Sequence, residues 1–185
     1  MIDDRELMTF RDRDEWRAWL AAHHRDAVEA WLVIRRKGVR EGALSLDEAV
    51  EEALCFGWID GKLTSMDGQK NALRFSPRRA TSIWSVSNVR RVQRLIEEGR
   101  MTEAGLARVA DARRSGQWDA AFARERTDDI PPDLARALRR RRGALAAYGA
   151  LTDSRKKQLL HGLFTAKRTE TRQRRIEAIV SEVVG

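Results

Sequence analysis

Hydrophobic residues in the first part of the chain recur at helical spacing. Trp16, Trp19 and Leu20 share one face of a helix, and Asp12 followed by Glu15 has the spacing of a capping box just before them. This pattern predicts a first amphipathic helix. The same signals return after Ser45, so we predict a second helix that ends at a glycine.

Strand-type residues occupy the segments around these helices. We predict a short strand over residues 7–10, a β-rich segment over 30–36, and two strands over 58–65 and 71–76. Asp67-Gly68 provides the turn signal of a hairpin between the last two strands, and Pro77 ends the second. The resulting order β-α-β-α-β-β predicts a small mixed or antiparallel sheet of about four strands with helices packed on it.

Everything after Ser85 has helical spacing. Ser85 or Ser87 can cap a helix that ends before Gly99, and a further helix is predicted from Thr102 to about residue 115. The two prolines after Ile130 mark the clearest boundary, because proline restricts the residue before it and favours a helix start. The fold class is therefore α+β: a core over residues 1–128, followed by an all-helical basic region over 129–185 packed on that core.

Charge is unevenly placed along the 185 residues. The net charge is +8, and residues 132–185 contain 13 basic and 5 acidic side chains. Residues 62–96 add eight basic side chains against one acidic residue, Asp67. Two basic segments predict an anionic ligand or a polyanion such as nucleic acid as partner. A basic solvated surface is the alternative, since 30 of the 36 basic residues are arginines, as in products of GC-rich genomes.

Several classes of protein are disfavoured by what the sequence lacks. No apolar run approaches the ~20 residues of a membrane span, and the acidic first fifteen residues do not resemble a secretory signal, so we expect a cytoplasmic protein. Cys55 is the single cysteine, which excludes an internal disulfide and a cysteine-based zinc cluster. No nucleotide-binding or hydrolase motif is present, and we predict no cofactor and no metal site.

Arginines and tryptophans cluster where the hairpin, the following loop and the next helix meet. Arginine with indole suits an anionic or aromatic ligand, and a helix start adds free backbone N–H groups. The alternative is that both indoles belong to the core and the arginines form ion pairs. The candidate ligand-binding residues are Trp58, Asp60, Lys62, Arg74, Arg78, Trp84, Asn88 and Arg91.

The last helix provides a second basic face. Its candidate residues are Lys167, Thr171, Arg172 and Arg175, with Thr169 as the predicted N-cap. If this helix packs beside the hairpin, its basic face would complete a cationic groove. A solvated basic face is the alternative.

The same central stretch resembles a known bacterial family. Residues 54–61 (LCFGWIDG), 74–79 (RFSPRR), 82–92 (SIWSVSNVRRV) and 98–101 (EGRM) with Gly105 are similar to the YdeI/OmpD-associated (OmdA), or bacteriocin-protection, family. Residues 166–176 look like the closing basic helix of the same family, so the resemblance covers most of the chain. It implies a role in tolerance to bacteriocins or other antimicrobial agents. Six of the candidate residues fall on its motif: Trp58, Asp60, Arg74, Trp84, Asn88 and Arg91.

Our functional hypothesis is a non-enzymatic cytoplasmic binding protein for an anionic or aromatic ligand. One alternative is nucleic-acid binding, and another is an enzyme that acts on a phosphorylated or anionic small molecule, using Asp60 with Arg74 and Arg91. A third is a partner-binding module, with a homodimer formed through the apolar faces of the C-terminal helices. Cys55 lies among apolar neighbours, and we predict a buried structural thiol.

Overall fold

The strand-forming segments of the first 80 residues build one sheet. In the computed structural model, which describes residues 6–39, 43–166 and 168–185, the strands are β1 (Leu7–Met8), β2 (Ala30–Arg35), β3 (Trp58–Ser65) and β4 (Lys70–Pro77). Within the described residues they form a four-stranded sheet in the order β1-β2-β4-β3. β1 is parallel to β2, and the other pairs are antiparallel. The predicted α+β class and the hairpin are confirmed.

The β3–β4 hairpin closes at the predicted turn. The Asp67 carboxylate accepts hydrogen bonds from the backbone N–H groups of Gln69 and Lys70, both at 2.7 Å, which stabilises the turn. The register shifts between Asp60 and Leu63, so the two residues between them share one partner position on β4. At the open end, Trp58 lies opposite Pro77.

Helices account for most of the remaining chain. Ser45 begins the second helix with a complete capping box, in which the side chains of Ser45 and Glu48 each accept from the other residue's backbone N–H. Ser85 rather than Ser87 caps the third helix, by accepting from Asn88 N–H. The helices are α1 (Arg13–His23), α2 (Leu46–Cys55), α3 (Val86–Glu97), α4 (Glu103–Arg114), α5 (Gln117–Ala123), α6 (Pro132–Arg139), α7 (Ala144–Ala150), α8 (Asp153–Phe164) and α9 (Thr169–Val184).

An aromatic cluster forms the centre of the core between α1 and the sheet. Trp16 is fully buried and contacts the rings of Phe75 and Trp19, at centroid distances of 5.6 Å and 5.2 Å. Trp19 meets Trp58 edge-on at 6.0 Å. The helical spacing that predicted α1 therefore positions its indoles against the strands.

The chain divides into two compact units, the first ending at Trp118 and the second running from Asp119 to Gly185. The core of the second unit is helical and includes Leu134, Tyr148, Leu160 and Ile176. The prediction that Thr169 caps α9 is wrong. The helix already includes Thr169, and the cap position is held by Arg168, which makes no side-chain cap bond. Within the described residues, no helix is both long and apolar enough to span a membrane.

Candidate functional site

The candidate arginines Arg74 and Arg91 are held by neighbouring acidic residues. Arg74 on β4 donates through Nε to Glu29 at 2.6 Å. Arg91 on α3 donates to the Asp47 carboxylate at 2.5 Å and to the Asn88 side chain at 3.1 Å. These pairs lie within the first unit, and each already gives its guanidinium an acceptor.

Both candidate tryptophans are buried. Trp58 is 1% exposed, and its indole N–H donates to the carbonyl of His24 at 3.2 Å. Trp84 is 3% exposed and packs against Trp118 with ring centroids 5.3 Å apart. Both rings are therefore largely covered by protein, and stacking of a ligand on either indole stays a prediction.

Arg78 differs from the other two candidate arginines. Its side chain is buried, with the residue 4% exposed, and its guanidinium carbon lies 3.9 Å from the centre of the Trp84 ring. Nη1 donates to the carbonyl of Ile83 at 3.3 Å. Among the described residues, Nε and Nη2 have no hydrogen-bond partner. A buried guanidinium is thus left with part of its donor capacity unused.

Burial acts directly on the ionisation of this group. Loss of solvation lowers the pKa of the Arg78 guanidinium to about 10, while the charge of Asp60 works in the opposite direction. Arg78 therefore remains a cation at neutral pH. Asp60 is half-buried, and Lys62 is exposed beside it on β3.

A cavity of about 240 Å³, which we call the Arg78 pocket, is lined by Trp58, Arg78, residues that directly follow α1 and α2, and residues of α4. The hairpin brings its parts together, since the Arg78 backbone N–H donates to the Gly57 carbonyl at 2.9 Å. Among the residues that the structure describes, no acidic side chain lines it. The lining residues are His24, Arg25, Phe56, Gly57, Trp58, Pro77, Arg78, Ala104, Ala107 and Arg108.

Two cations of this pocket were not predicted from the sequence. Arg25 follows the end of α1 and is exposed. Arg108 lies on α4 and forms an ion pair with Asp111 at 3.0 Å. Gly57, at φ +75°, has its α-carbon facing Arg108, whose Cγ would lie 2.7 Å from an added Cβ. No local pattern signals this arrangement, because the cations come from separate elements.

A second charged cluster sits on α2 and is fully compensated. Glu52 is 0% exposed and accepts from Arg13 at 3.0 Å and Arg17 at 2.8 Å. Arg100 also donates to it. The neighbouring Glu51 pairs with Arg13, Arg94 and Arg100. Each carboxylate is surrounded by guanidinium groups, which indicates a structural network.

Cys55 is buried at the end of this helix, as predicted. Burial, followed by the charge of Glu52, raises the pKa of its thiol, while Arg17 opposes the shift. A thiol that stays protonated is a poor nucleophile.

The second basic face is used inside its own unit. Arg172 donates to both oxygens of Asp133, at 2.6 Å and 3.0 Å, and to the carbonyl of Leu163 at 2.9 Å. Arg175 donates to Thr165 Oγ1 at 3.1 Å and to the carbonyl of Gly162. Thr171 is half-buried on the same helix, and Lys167 lies outside the described residues.

The structure is thus that of an α+β protein in which a buried arginine, with two nitrogens that lack hydrogen-bond partners, lies beside a cavity. Among the described residues, no acidic side chain lines that cavity. Among the residues that the structure describes, no group of three or more His, Cys, Asp or Glu is placed to hold a metal ion. A scan against family models matches residues 8–108 to a "Domain of unknown function (DUF8412)" and residues 129–183 to "Bacteriocin-protection, YdeI or OmpD-Associated" (OmdA).

The chain therefore belongs to the DUF8412 family, and its residues 129–183 match the OmdA family model. The resemblance to the OmdA family is confirmed, but at 129–183, whereas the central motif of residues 54–105 lies inside the DUF8412 match. Comparison with curated proteins and with solved structures gave no significant match.

Proposed function

We propose that this chain is a binding protein for a small anionic ligand, which it holds in the Arg78 pocket. The observation that carries the proposal is the Arg78 guanidinium, buried and with two nitrogens that lack partners. Asp60 and the Trp84 ring compensate the buried charge of Arg78 only in part, and a buried charge without full compensation is costly. An anion in the adjoining cavity would offset that cost, and Arg25 and Arg108 would add to the positive potential.

The size and lining of the pocket limit the range of ligands that it can bind. About 240 Å³ is below the ~300–1,000 Å³ typical of pockets for drug-sized ligands. We therefore favour a single carboxylate or phosphate group on a small molecule, or such a group at the end of a larger one. The buried indoles favour an anionic over an aromatic ligand.

A non-enzymatic role remains our proposal. The histidine of the pocket, His24, has Nδ1 against the carbonyl of Leu20 at 2.8 Å. Cys55 is buried with a raised thiol pKa. No acidic side chain lines the cavity to act as a general base. The OmdA description links the second part of the chain to bacteriocin protection, and sequestering an anionic toxic compound in the cytoplasm is the role that we propose.

Thermal unfolding with added anions tests the proposal. Sodium phosphate, glycerol phosphate and acetate should raise the melting temperature above that in sodium chloride of equal ionic strength, because a ligand that binds only the folded state stabilises it. Arg78→Met should abolish this anion-dependent rise. In the absence of anions it should leave stability unchanged or raised, since it removes a buried charge that is only partly compensated.

Matched variants separate binding from folding. Arg74→Met removes an arginine of the neighbouring strand β4 that is paired with Glu29, and the response to anions should be kept. Arg25→Gln changes an exposed residue of the pocket, so the variant should fold and bind the anions several-fold more weakly. If wild-type protein responds to none of the three anions, or if Arg78→Met responds as wild type does, the proposal is wrong.

A further inference from the structure

A groove in the second unit lies between α6 and the second half of α9 and has a volume of about 490 Å³. Its apolar lining comes from Ala137 on α6 and from Ile176, Val180 and Val184 on α9. The three α9 residues are spaced four apart and so form one stripe. Val184 is 50% exposed, which leaves apolar surface open at one end of the groove.

The rim of the groove is basic. Arg140 and Arg141 line it, and Glu177 is the acidic residue of the lining. Arg139 and Arg142 flank these two arginines, and all four are exposed. None of the ion pairs formed among residues 6–39, 43–166 and 168–185 includes a member of this run. The run therefore has its charges available to a partner.

We propose that this groove binds an amphipathic helix of a partner protein, with an apolar stripe that enters the groove and acidic residues that meet the arginines. The apolar floor would bind side chains such as Leu or Ile, and the arginines of the rim would bind carboxylates. From Gln173 to Val184 the lining of α9 spans about 17 Å, the length of three helical turns. Helix-in-groove recognition with anchors at every three to four residues fits these dimensions.

The partner helix needs both its apolar stripe and its acidic residues. A nucleic acid would satisfy the arginines but leave the exposed Val184 in water, while a purely apolar segment would leave the arginine run without counter-charge. The proposal concerns the second unit alone and does not depend on the Arg78 pocket.

Fluorescence anisotropy with a designed probe tests the proposal on the full chain. The probe is a labelled 15-residue peptide with leucines at positions 2, 6, 9 and 13 and glutamates on the flanks of that stripe. A peptide of the same composition with the leucines scrambled is its control. We expect the striped peptide to bind about tenfold more tightly or better, because only it can fill the groove while facing the arginines. Equal binding of the two peptides, or no binding of either, would overturn the proposal.

Variants then locate the site. Val184→Asp, and the double variant Arg140→Glu with Arg141→Glu, should each weaken binding of the striped peptide about tenfold or more. Arg174→Glu reverses an exposed charge on α9 outside the groove lining and should bind like wild type. Circular dichroism and melting temperature must be unchanged in all three variants, and an equal loss in Arg174→Glu would refute the site.

Other occupants are distinguished in the same measurements. Sedimentation of the free protein that shows a dimer lost in Val184→Asp would assign the groove to a second copy of the chain. Duplex DNA or anionic phospholipid vesicles that bind more tightly than the striped peptide at physiological salt, and bind Val184→Asp as well as wild type, would assign the arginines to a polyanion surface. Either result would overturn the commitment to an amphipathic protein helix.

Discussion

Arg78 differs from Arg74 and Arg91 in how its charge is compensated. The other two are partly exposed and each lies against a carboxylate. Arg78 is buried, stacks on the Trp84 ring and uses one of its nitrogens to contact a backbone carbonyl. Water screens a charge at the surface but not one in the interior. Arg74 and Arg91 therefore have structural roles, whereas Arg78 has a proposed binding role.

Gly105 is the second residue whose identity the packing explains. It lies on α4 where that helix meets the end of α2, and an added Cβ would lie 2.8 Å from the carbonyl carbon of Cys55 and 2.7 Å from Met101 Cε. Thr102 Oγ1 donates to the same Cys55 carbonyl at 2.6 Å. The backbone of one helix thus contacts the backbone of the other, and only glycine leaves room.

We expect Gly105→Ala to destabilise the protein. Alanine favours helix over glycine by about 1 kcal/mol, but the overlap with backbone should cost about 2–4 kcal/mol, so the net effect is a loss of about 1–3 kcal/mol. Urea denaturation followed by circular dichroism measures it. Gly149→Ala on α7, where an added Cβ meets nothing within 4 Å, is the control and should be neutral or stabilising. A stabilising Gly105→Ala would refute the close contact.

Cys55 is predicted to play no part in ligand binding, because its thiol is buried. Cys55→Ser should lower the free energy of unfolding by about 1–2 kcal/mol, since a more polar hydroxyl replaces a buried thiol. Any response to anions should be kept. Burial raises the thiol pKa, so a thiol reagent at neutral pH should label the native protein slowly. Rapid labelling together with lost binding at unchanged fold would favour the enzyme alternative.

At the scale of elements, α2 organises the first unit. Its start is fixed by the capping box of Ser45 and Glu48, and its end contacts α4 through the Cys55 carbonyl. In its middle, Glu51 and Glu52 receive arginines from α1, α3 and the segment after α3. The buried carboxylates therefore join three parts of the chain, and their cost of desolvation is offset by several guanidinium groups at once.

We expect Glu52→Gln to lower the free energy of unfolding by about 2–3 kcal/mol. The amide keeps the shape of the side chain but leaves Arg13, Arg17 and Arg100 without the charge on which they converge. Breaking a fully buried ion pair costs about 3–5 kcal/mol of stability. We expect a smaller loss here because the three arginines are partly exposed to water. Chemical denaturation at low and high salt measures it.

Glu98→Gln is the matched control for that change. Glu98 is more than a third exposed and pairs with Arg94 and Arg100 at 3.5 Å. Exposed pairs of this kind contribute little, so we expect a loss below about 0.5 kcal/mol. Comparable losses in the two variants would contradict a special role for the buried carboxylate.

Elements with local signals were predictable, and the pocket was not. Ser45 with Glu48, and Asp67 in the hairpin turn, act within a few residues, so their patterns identified α2 and the β3–β4 turn. The burial of Trp58 depends on Trp19 and on the carbonyl of His24, which are far away in sequence. Arg78 could be named as a candidate from its neighbours in sequence. Its burial, and its meeting with Arg25 and Arg108, depend on tertiary packing that no local pattern encodes.

At the scale of the whole molecule, the charges of the two units differ. The second unit has 15 basic and 9 acidic residues, a net charge of +6 out of the total of +8. Many arginines of the first unit form ion pairs with Glu29, Asp47, Glu51 and Glu52. In the second unit the exposed run of residues 139–142 stands apart from the ion pairs formed by Arg155, Lys157 and Arg172. Long-range attraction to polyanions should therefore come mainly from the second unit.

We expect weak binding to single-stranded and duplex oligonucleotides, without sequence preference, that falls steeply with salt. Each phosphate contact contributes about 0.7–0.9 to the slope of log affinity against log salt. Replacing all four arginines 139–142 by glutamine should reduce the slope by about 2–3, whereas replacing them by lysine should leave it nearly unchanged. Anisotropy titrations at several salt concentrations measure both. Absence of binding at low salt would leave these arginines as a solvated surface, and a slope unchanged in the glutamine variant would place the phosphate contacts elsewhere on the chain.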